Sequence, residues 1–231
     1  MGASAVALTI LLAAGAASAA ESTDDKALPG EKWTSNLKAP LVPKPADDVG
    51  GSWAATLLGG RMTDASLVQT FLFNFGWAEA TLVSGEIAYT LKADNPFQRF
   101  MDPVLNNIDV VLNVTYQDDP TGTIWQLNPY VMARWNKFPW SNTIRTTFGL
   151  GGGLSYATGI ASIEYEPTKP DGDYDNLLHY IAIEATFALP KYKDWQLVYR
   201  LHHRSGVFGL MQSDNSGNTA VEIGLRHYFD W

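Results

Sequence analysis

A histidine and a serine stand two positions apart near the end of the chain, at His203 and Ser205. On a β-strand, residues two apart leave the same face with their backbones about 6 to 7 Å apart, so a hydrogen bond between these side chains is within reach. The pair supplies a hydroxyl nucleophile and a base that takes its proton, the minimum for attack on an ester carbonyl. A rim histidine and a loop serine also occur together by chance, so the spacing leaves a purely structural pair open.

The segment that leads into this pair alternates between an apolar and a polar face. The apolar face carries Trp195, Leu197, Tyr199 and Leu201, and the other face carries Gln196, Val198, Arg200 and His202. The last segment repeats the pattern, with Val221, Ile223, Leu225, His227, Phe229 and Trp231 opposite Glu222, Gly224, Arg226, Tyr228 and Asp230. Such alternation over about ten residues is typical of transmembrane barrel strands. The parity puts His203 and Ser205 on the apolar face, which predicts that both point towards lipid.

Eight segments separated by Gly, Pro, Asn and Asp clusters fit this pattern. The predicted strands are Ser52–Gly59, Glu79–Leu91, Ile108–Gln117, Thr123–Asn136, Ile144–Ala157, Leu177–Leu189, Trp195–His202 and Val221–Trp231. An even count predicts an all-β, eight-stranded antiparallel up-and-down transmembrane β-barrel. The alternative is a soluble lipocalin-like barrel with its apolar face inside. It is disfavoured because the charges are confined to the other face, so the interior would have to hold the whole aromatic-rich stripe.

The polar faces of these strands carry four acids and four bases. They are Glu86, Asp109, Glu184 and Glu222 with Arg134, Arg145, Arg200 and Arg226. Oppositely charged side chains can pair inside a barrel of eight strands, whose interior is filled by side chains. The sequence therefore predicts a filled interior rather than a pore.

The start of the chain predicts export. Residues 6–14 are apolar and Ala17-Ser18-Ala19 matches a signal-peptidase site, although no Lys or Arg precedes the apolar run. We expect residues 1–19 to be a signal peptide and residues 20–51, rich in Pro, Asp and Lys, to be a flexible periplasmic lead-in to a barrel at 52–231. The chain has no cysteine, which excludes disulfides and thiol chemistry. Its formal net charge of −8 would repel phosphate backbones, so we expect no nucleic-acid partner.

Both ends of an even-stranded barrel lie on one side, which we expect to be periplasmic in a bacterial outer membrane. The extracellular connections would then be Arg61–Ala78, Gln117–Gly122, Thr158–Asp175 and Gly206–Asn218. The periplasmic ones would be Lys92–Asn107, Lys137–Thr143 and Pro190–Asp194. On the periplasmic side, Trp140, Trp195 and Trp231 would form an aromatic girdle, and Phe97–Asp102 a short helix.

Several motifs resemble the lipid A 3-O-deacylases of the PagL type and the related acyloxyacyl hydrolases. The most specific are the segment from Tyr199 to Leu210, Ser216-Gly217-Asn218 and the segment from Gly224 to Phe229, supported by those from Arg134 to Trp140 and from Gly149 to Ala157. The resemblance implies His203 as the base and Ser205 as the nucleophile that removes an ester-linked acyl chain from lipid A of lipopolysaccharide in the outer leaflet. It implies no organic cofactor, and no His, Asp or Glu spacing predicts a metal site. The oligomeric state is left open.

The other catalytic positions of the family depart from its pattern here. The family's Asn after the serine is replaced by Gly206, so an oxyanion donor at this point would be a backbone amide. The last-strand acid is Glu222, whose parity points inward towards Arg226, while Thr219 takes the outward position. A β-bulge that turns Glu222 outward, or Asp214 from the preceding loop, would supply the orienting acid.

The remaining histidines are assigned by their faces. We expect His202 to be structural inside the barrel, and His179 and His227 to be isolated outward residues. Two alternatives to the hydrolase stay open: a catalytically silent structural or lipid-binding barrel, and a lipid acyltransferase, for which the sequence displays no acceptor site.

Overall fold

Eight antiparallel strands, each hydrogen-bonded to its neighbours in the chain, close into a barrel when β8 pairs with β1. This is a computed structural model that describes residues 52–101, 104–164, 174–206 and 217–229. The strands are β1 (Trp53–Thr63), β2 (Trp77–Thr90), β3 (Asn107–Asp119), β4 (Gly122–Trp135), β5 (Arg145–Ala157), β6 (Leu177–Ala188), β7 (Trp195–Ser205) and β8 (Gly217–Phe229). The predicted fold class is confirmed. The predicted signal peptide and lead-in lie outside the described residues.

The wall of the barrel is apolar outside and polar inside. Large exposed hydrophobic side chains include Leu57, Val83, Val114, Leu127, Leu150, Ile223 and Leu225. Their neighbours in each strand are buried and largely polar, because successive side chains of a strand point to opposite faces. An exterior of this kind around a charged interior is the arrangement of a barrel that spans a membrane.

Seven of the eight charges predicted to face inward are buried in the barrel, and six of them form one connected network. Glu184 accepts hydrogen bonds from Arg134 at 2.6 Å, from Arg226 at 2.6 Å and from Arg200 at 2.5 Å. Glu86 binds Arg200 and Arg226, and Asp109 binds Arg134. The eighth, Arg145, is only half-buried, because it is the first residue of β5.

The glycine-rich middle of β5 makes room for this interior. A Cβ at Gly149 would lie 2.6 Å from the sulfur of Met132, and one at Gly151 would lie 2.9 Å from the Tyr130 ring. Tyr130 in turn donates a hydrogen bond of 2.6 Å to Glu86. The motif from Gly149 therefore has a packing role in the core.

Short helices occupy two of the connections. Helix α1 (Leu67–Phe71) lies between β1 and β2, and helix α2 (Pro96–Met101) lies between β2 and β3 where a short helix is predicted. A 3₁₀ turn, Pro190–Tyr192, joins β6 to β7. None of the helices in the described ranges is long and apolar enough to cross a membrane.

The predicted boundaries differ most at β1, which continues past Gly59 to Thr63, and at β8, which begins at Gly217 instead of Val221. The pairing of β1 with β8 runs unbroken to Thr63, whereas its pairing with β2 shifts between Arg61 and Thr63. We call the end of the barrel that carries α1 and the last residues of β7 the site end.

Candidate functional site

The two predicted catalytic side chains lie on the outer wall at the site end. His203 and Ser205 are half-buried at the C-terminal end of β7, while Arg204 between them is buried in the interior. The alternation of the strand therefore puts the pair on the outward face, as its parity predicts.

A threonine holds the His203 ring in place. His203 and Thr219 are direct partners in the β7–β8 ladder, and Nδ1 of the ring lies 3.0 Å from the Thr219 hydroxyl oxygen. When Nδ1 donates this hydrogen bond, Nε2 carries the lone pair and is the nitrogen that can take a proton. A hydroxyl orients the ring as a carboxylate would, but it does not offset the positive charge that a base acquires.

Further hydroxyl contacts connect this site to helix α1. Thr63 of β1 is the ladder partner of Thr219 and donates a hydrogen bond of 3.1 Å to its carbonyl oxygen. The Thr63 hydroxyl also lies 3.0 Å from that of Thr70 in α1. All of these threonines are buried, so α1 supports the outer wall beside His203.

The acid proposed on the last strand faces the other way. Glu222 lies in an unbroken register between Arg200 of β7 and Gly60 of β1, so no bulge turns it outward. Its carboxylate accepts a hydrogen bond of 2.5 Å from Ser84 and lies 3.5 Å from Nδ1 of His202. Glu222 therefore contacts His202 instead of His203, and its partners differ from the expected Arg226.

The other predicted site residues have different positions. His202 is buried in the interior, with Nε2 2.9 Å from the side-chain oxygen of Gln126. Gly206 follows β7 directly and is buried. Asp214 lies outside the described residues.

The structure places a second histidine, His179, on the same outer face as Ser205. His179 of β6 is the direct ladder partner of Ser205, so the two side chains share the outer face of adjacent strands. Directly paired residues have Cβ atoms about 4.5 to 5.5 Å apart. The prediction that His179 is isolated is therefore wrong. His227, also predicted to be isolated, lies 4.4 Å from Trp195 between ring centres.

Inside the barrel, Arg204 of β7 and its ladder partner Asn218 of β8 bind the described ends of the β5–β6 connection. Arg204 donates hydrogen bonds of 2.8 Å to Ser155, 3.3 Å to Glu164 and 3.2 Å to the Asn176 carbonyl. Asn218 also donates to the Glu164 carboxylate. Burial raises the pKa of Glu164, and Arg204 and Asn218 oppose that rise. The described ends of this connection, at Glu164 and Asn176, are thus tied to the strands that carry the site.

Chemically, the site offers a serine hydroxyl on the same lipid-facing wall as the imidazoles of His203 and His179. Within the described ranges, no three His, Cys, Asp or Glu side chains come together to hold a metal ion. The arrangement can support acyl transfer from an ester to a serine oxygen, with a histidine as the proton acceptor.

Fold and site together define a membrane-spanning β-barrel with a polar cluster on its outer wall. No protein-family model matches the sequence, and no curated protein matches it significantly. Solved structures that it resembles include the N-terminal β-barrel domain of Pseudomonas aeruginosa OprF, with 14% identity, a TM-score of 0.44, and 78% of this chain and 98% of that chain covered. The outer membrane enzyme PagL has 13% identity and a TM-score of 0.44, over 75% of this chain and 98% of that one. Neisserial surface protein A has 10% identity and a TM-score of 0.44, over 78% of this chain and 98% of that one.

Proposed function

We propose that this protein is an outer-membrane esterase that removes an ester-linked acyl chain from lipid A of lipopolysaccharide. The observation that carries the proposal is the position of His203 and Ser205: both lie on the outward face of β7, with the histidine ring held by Thr219. An enzyme for soluble esters has no need to place a polar pair on a wall that faces hydrocarbon, where polar groups are costly. A substrate that lies in the leaflet explains that placement.

In the proposed reaction, the Ser205 oxygen attacks the ester carbonyl as Nε2 of His203 takes the hydroxyl proton. The tetrahedral intermediate expels the sugar hydroxyl, which receives that proton, and an acyl-serine remains. Water then hydrolyses the acyl-serine with His203 again as the base, so a free fatty acid leaves. Backbone amides, including that of Gly206, are the proposed donors to the oxyanion.

The proposal includes the placement of the chain. We propose that residues 1–19 are a signal peptide, that residues 20–51 lead into the barrel, and that both termini are periplasmic. The site end then meets the outer leaflet, where lipopolysaccharide lies. Because this protein is acidic, the phosphates of lipopolysaccharide would bind to it through bridging divalent ions or through cationic side chains of the loops.

A second candidate is a catalytically silent barrel with a structural or lipid-binding role. It is favoured by the surroundings of the His203 ring, which lies 3.0 Å from the Thr219 hydroxyl and, among the described residues, is bound by no carboxylate. Loss of the orienting acid lowers the rate about 10⁴-fold in a serine protease. A measurement of activity therefore separates the two candidates.

The proposed esterase predicts a mass change in lipid A. Cells that express the wild type should lose the mass of one hydroxyacyl chain from lipid A, as measured by mass spectrometry. Ser205→Ala should abolish the loss, and His203→Ala should reduce the rate about 10²- to 10⁴-fold, the usual contribution of a general base.

The matched control is His227→Ala, an outward histidine on β8 beside Trp195, which should retain the wild-type activity. Heat-modifiable gel mobility shows whether each barrel is folded. Unchanged lipid A in cells with folded wild-type barrel would make the silent barrel the better interpretation.

Thr219 provides a finer test of how His203 is oriented. Thr219→Val keeps the shape of the side chain but removes the hydroxyl, so the ring loses one neutral hydrogen bond worth about 0.5 to 1.5 kcal/mol. We expect kcat/KM for acyl release from lipid A in detergent micelles to fall about 2- to 10-fold. Thr219→Ser, which keeps the hydroxyl, should retain most of the activity. Equal rates for both variants would show that Thr219 does not orient the base.

A further inference from the structure

Helix α1 and the turn after it expose an unusual amount of apolar surface. Val68 and Leu72 are each 66% exposed, Phe71 is 55% exposed and Phe73 is 75% exposed. We propose that residues 67–73, which we call the α1 ledge, insert into the membrane leaflet at the site end and contact the acyl chains of its lipids. This inference concerns an interaction surface and does not depend on the esterase.

The exposure does not come from a loosely held loop. Ser66 and Gln69 form a capping box at the start of α1, and Thr70 is tied to Thr63 of β1. The two ends of the connection are joined where the Gly76 amide donates a hydrogen bond of 2.6 Å to the Asp64 carboxylate. The ledge is therefore a fixed element that holds its apolar side chains away from the protein.

Phe73 shows that this outward position has a conformational cost. Its φ of 57° lies in the left-handed region, which a bulky side chain occupies at a cost of about 1 to 2 kcal/mol. The backbone is held there by hydrogen bonds from the Phe73 amide to Thr70 and from the Asn74 amide to Gln69. In water, an exposed phenylalanine ring also forgoes about 1.5 to 3 kcal/mol of burial. A lipid environment removes the second of these costs.

The ledge lies on the outside of the barrel, in continuity with the lipid-facing wall. Thr63, to which α1 is bound, lies on the same strand face as the exposed Arg61 and is the ladder partner of the outward Thr219. The helix packs against β7 and β8, whose exposed outer residues include Leu197, Ile223 and Leu225. Trp77, at the start of β2, extends the same apolar surface.

The apolar side chains of the α1 ledge indicate which partner it contacts. Residues 65–73 carry no charge, and the exposed side chains of the ledge are aliphatic or aromatic apart from the capping residue Gln69. Because the adjoining wall already faces hydrocarbon, the hydrocarbon of the same leaflet is the occupant that the surface fits. The α1 ledge therefore sits in the lipid next to His203 and Ser205.

The natural absence of cysteine allows a direct test. Val68→Cys, Phe71→Cys and Phe73→Cys, each labelled with bimane, would be folded into phosphatidylcholine vesicles with and without brominated acyl chains. We expect bromine to quench each label as strongly as it quenches a label at Leu225→Cys, an exposed position of the outer wall. A label at Pro120→Cys, at the exposed tip of the β3–β4 hairpin, should not be quenched.

Two results would overturn the inference. One is quenching at Leu225→Cys but none at the three ledge positions, which would place the ledge in water. The other is bimane fluorescence at the ledge positions that changes with the protein-to-lipid ratio but is not quenched by bromine. That result would make a second copy of the chain the occupant. Because Val68 and Phe71 are tested beside Phe73, the result does not depend on whether the strained position tolerates substitution.

Discussion

Glu184→Ala is expected to destabilise the folded barrel by about 3 to 5 kcal/mol, the usual cost of removing one partner from a buried ion pair. Glu184 accepts hydrogen bonds from three guanidinium groups, those of Arg134, Arg200 and Arg226. Without its carboxylate, three buried positive charges share only Glu86 and Asp109. Urea unfolding of the barrel in lipid vesicles, followed by tryptophan fluorescence, measures the change.

The matched control is Glu79→Ala, which removes an exposed acid from β2 and should leave the urea concentration at the midpoint of unfolding unchanged. A double variant sharpens the test. Adding Arg226→Met to Glu184→Ala restores the balance of charge, so it should recover part of the lost stability and give a positive coupling energy. If Glu184→Ala and Glu79→Ala unfolded at the same urea concentration, the network would have no role in stability.

Gly224→Ala is expected to prevent closure of the barrel. A Cβ at this position would overlap the carbonyl oxygen of Leu57 and lie 2.7 Å from the Cα of Leu58. Neither backbone atom can move without separating β8 from β1. Overpacking in a core costs about 1 to 3 kcal/mol when side chains can adjust. Here the backbone must move, and the open seam would expose unpaired amides to lipid.

The control for this variant is Gly85→Ala. Gly85 is an exposed glycine in β2, and a Cβ there meets nothing within 4 Å. We expect Gly85→Ala to fold with the wild-type yield and to show heat-modifiable mobility, whereas Gly224→Ala should show only the unfolded band. Normal folding of both variants would contradict the geometry of the β1–β8 seam.

The fold was predictable because the barrel imposes a period of two on every strand. Parity alone assigned the outward stripe of Trp195 and Leu197 and the inward charges of β2, β4, β6 and β7. It also assigned Glu222 to the interior against the family pattern, and the unbroken register of β8 agrees. Parity is robust because a shift of one residue would move every charge of a strand into lipid.

The candidate site was only partly predictable. His203 and Ser205 are close in sequence, so their common face follows from the alternation of one strand. Their neighbours come from other strands: Thr219 from β8 and His179 from β6. Thr63 of β1, which contacts α1, in turn binds Thr219. Which residue lies opposite which depends on the stagger between strands, and the extension of β1 to Thr63 was not visible in the sequence pattern.

The sequence by itself therefore determined the number of strands, the two faces of the wall and the charges that fill the interior, because each is a local pattern read along one strand. Only the tertiary structure decided that a threonine orients His203, that Glu222 binds His202, and that α1 lies against the outer wall. The hydrogen bond between His203 and Thr219 joins residues 16 positions apart, and the one between Thr219 and Thr63, to which α1 is bound, joins residues 156 positions apart. Their geometry is set by the register of the closed barrel, a property that belongs to all eight strands together.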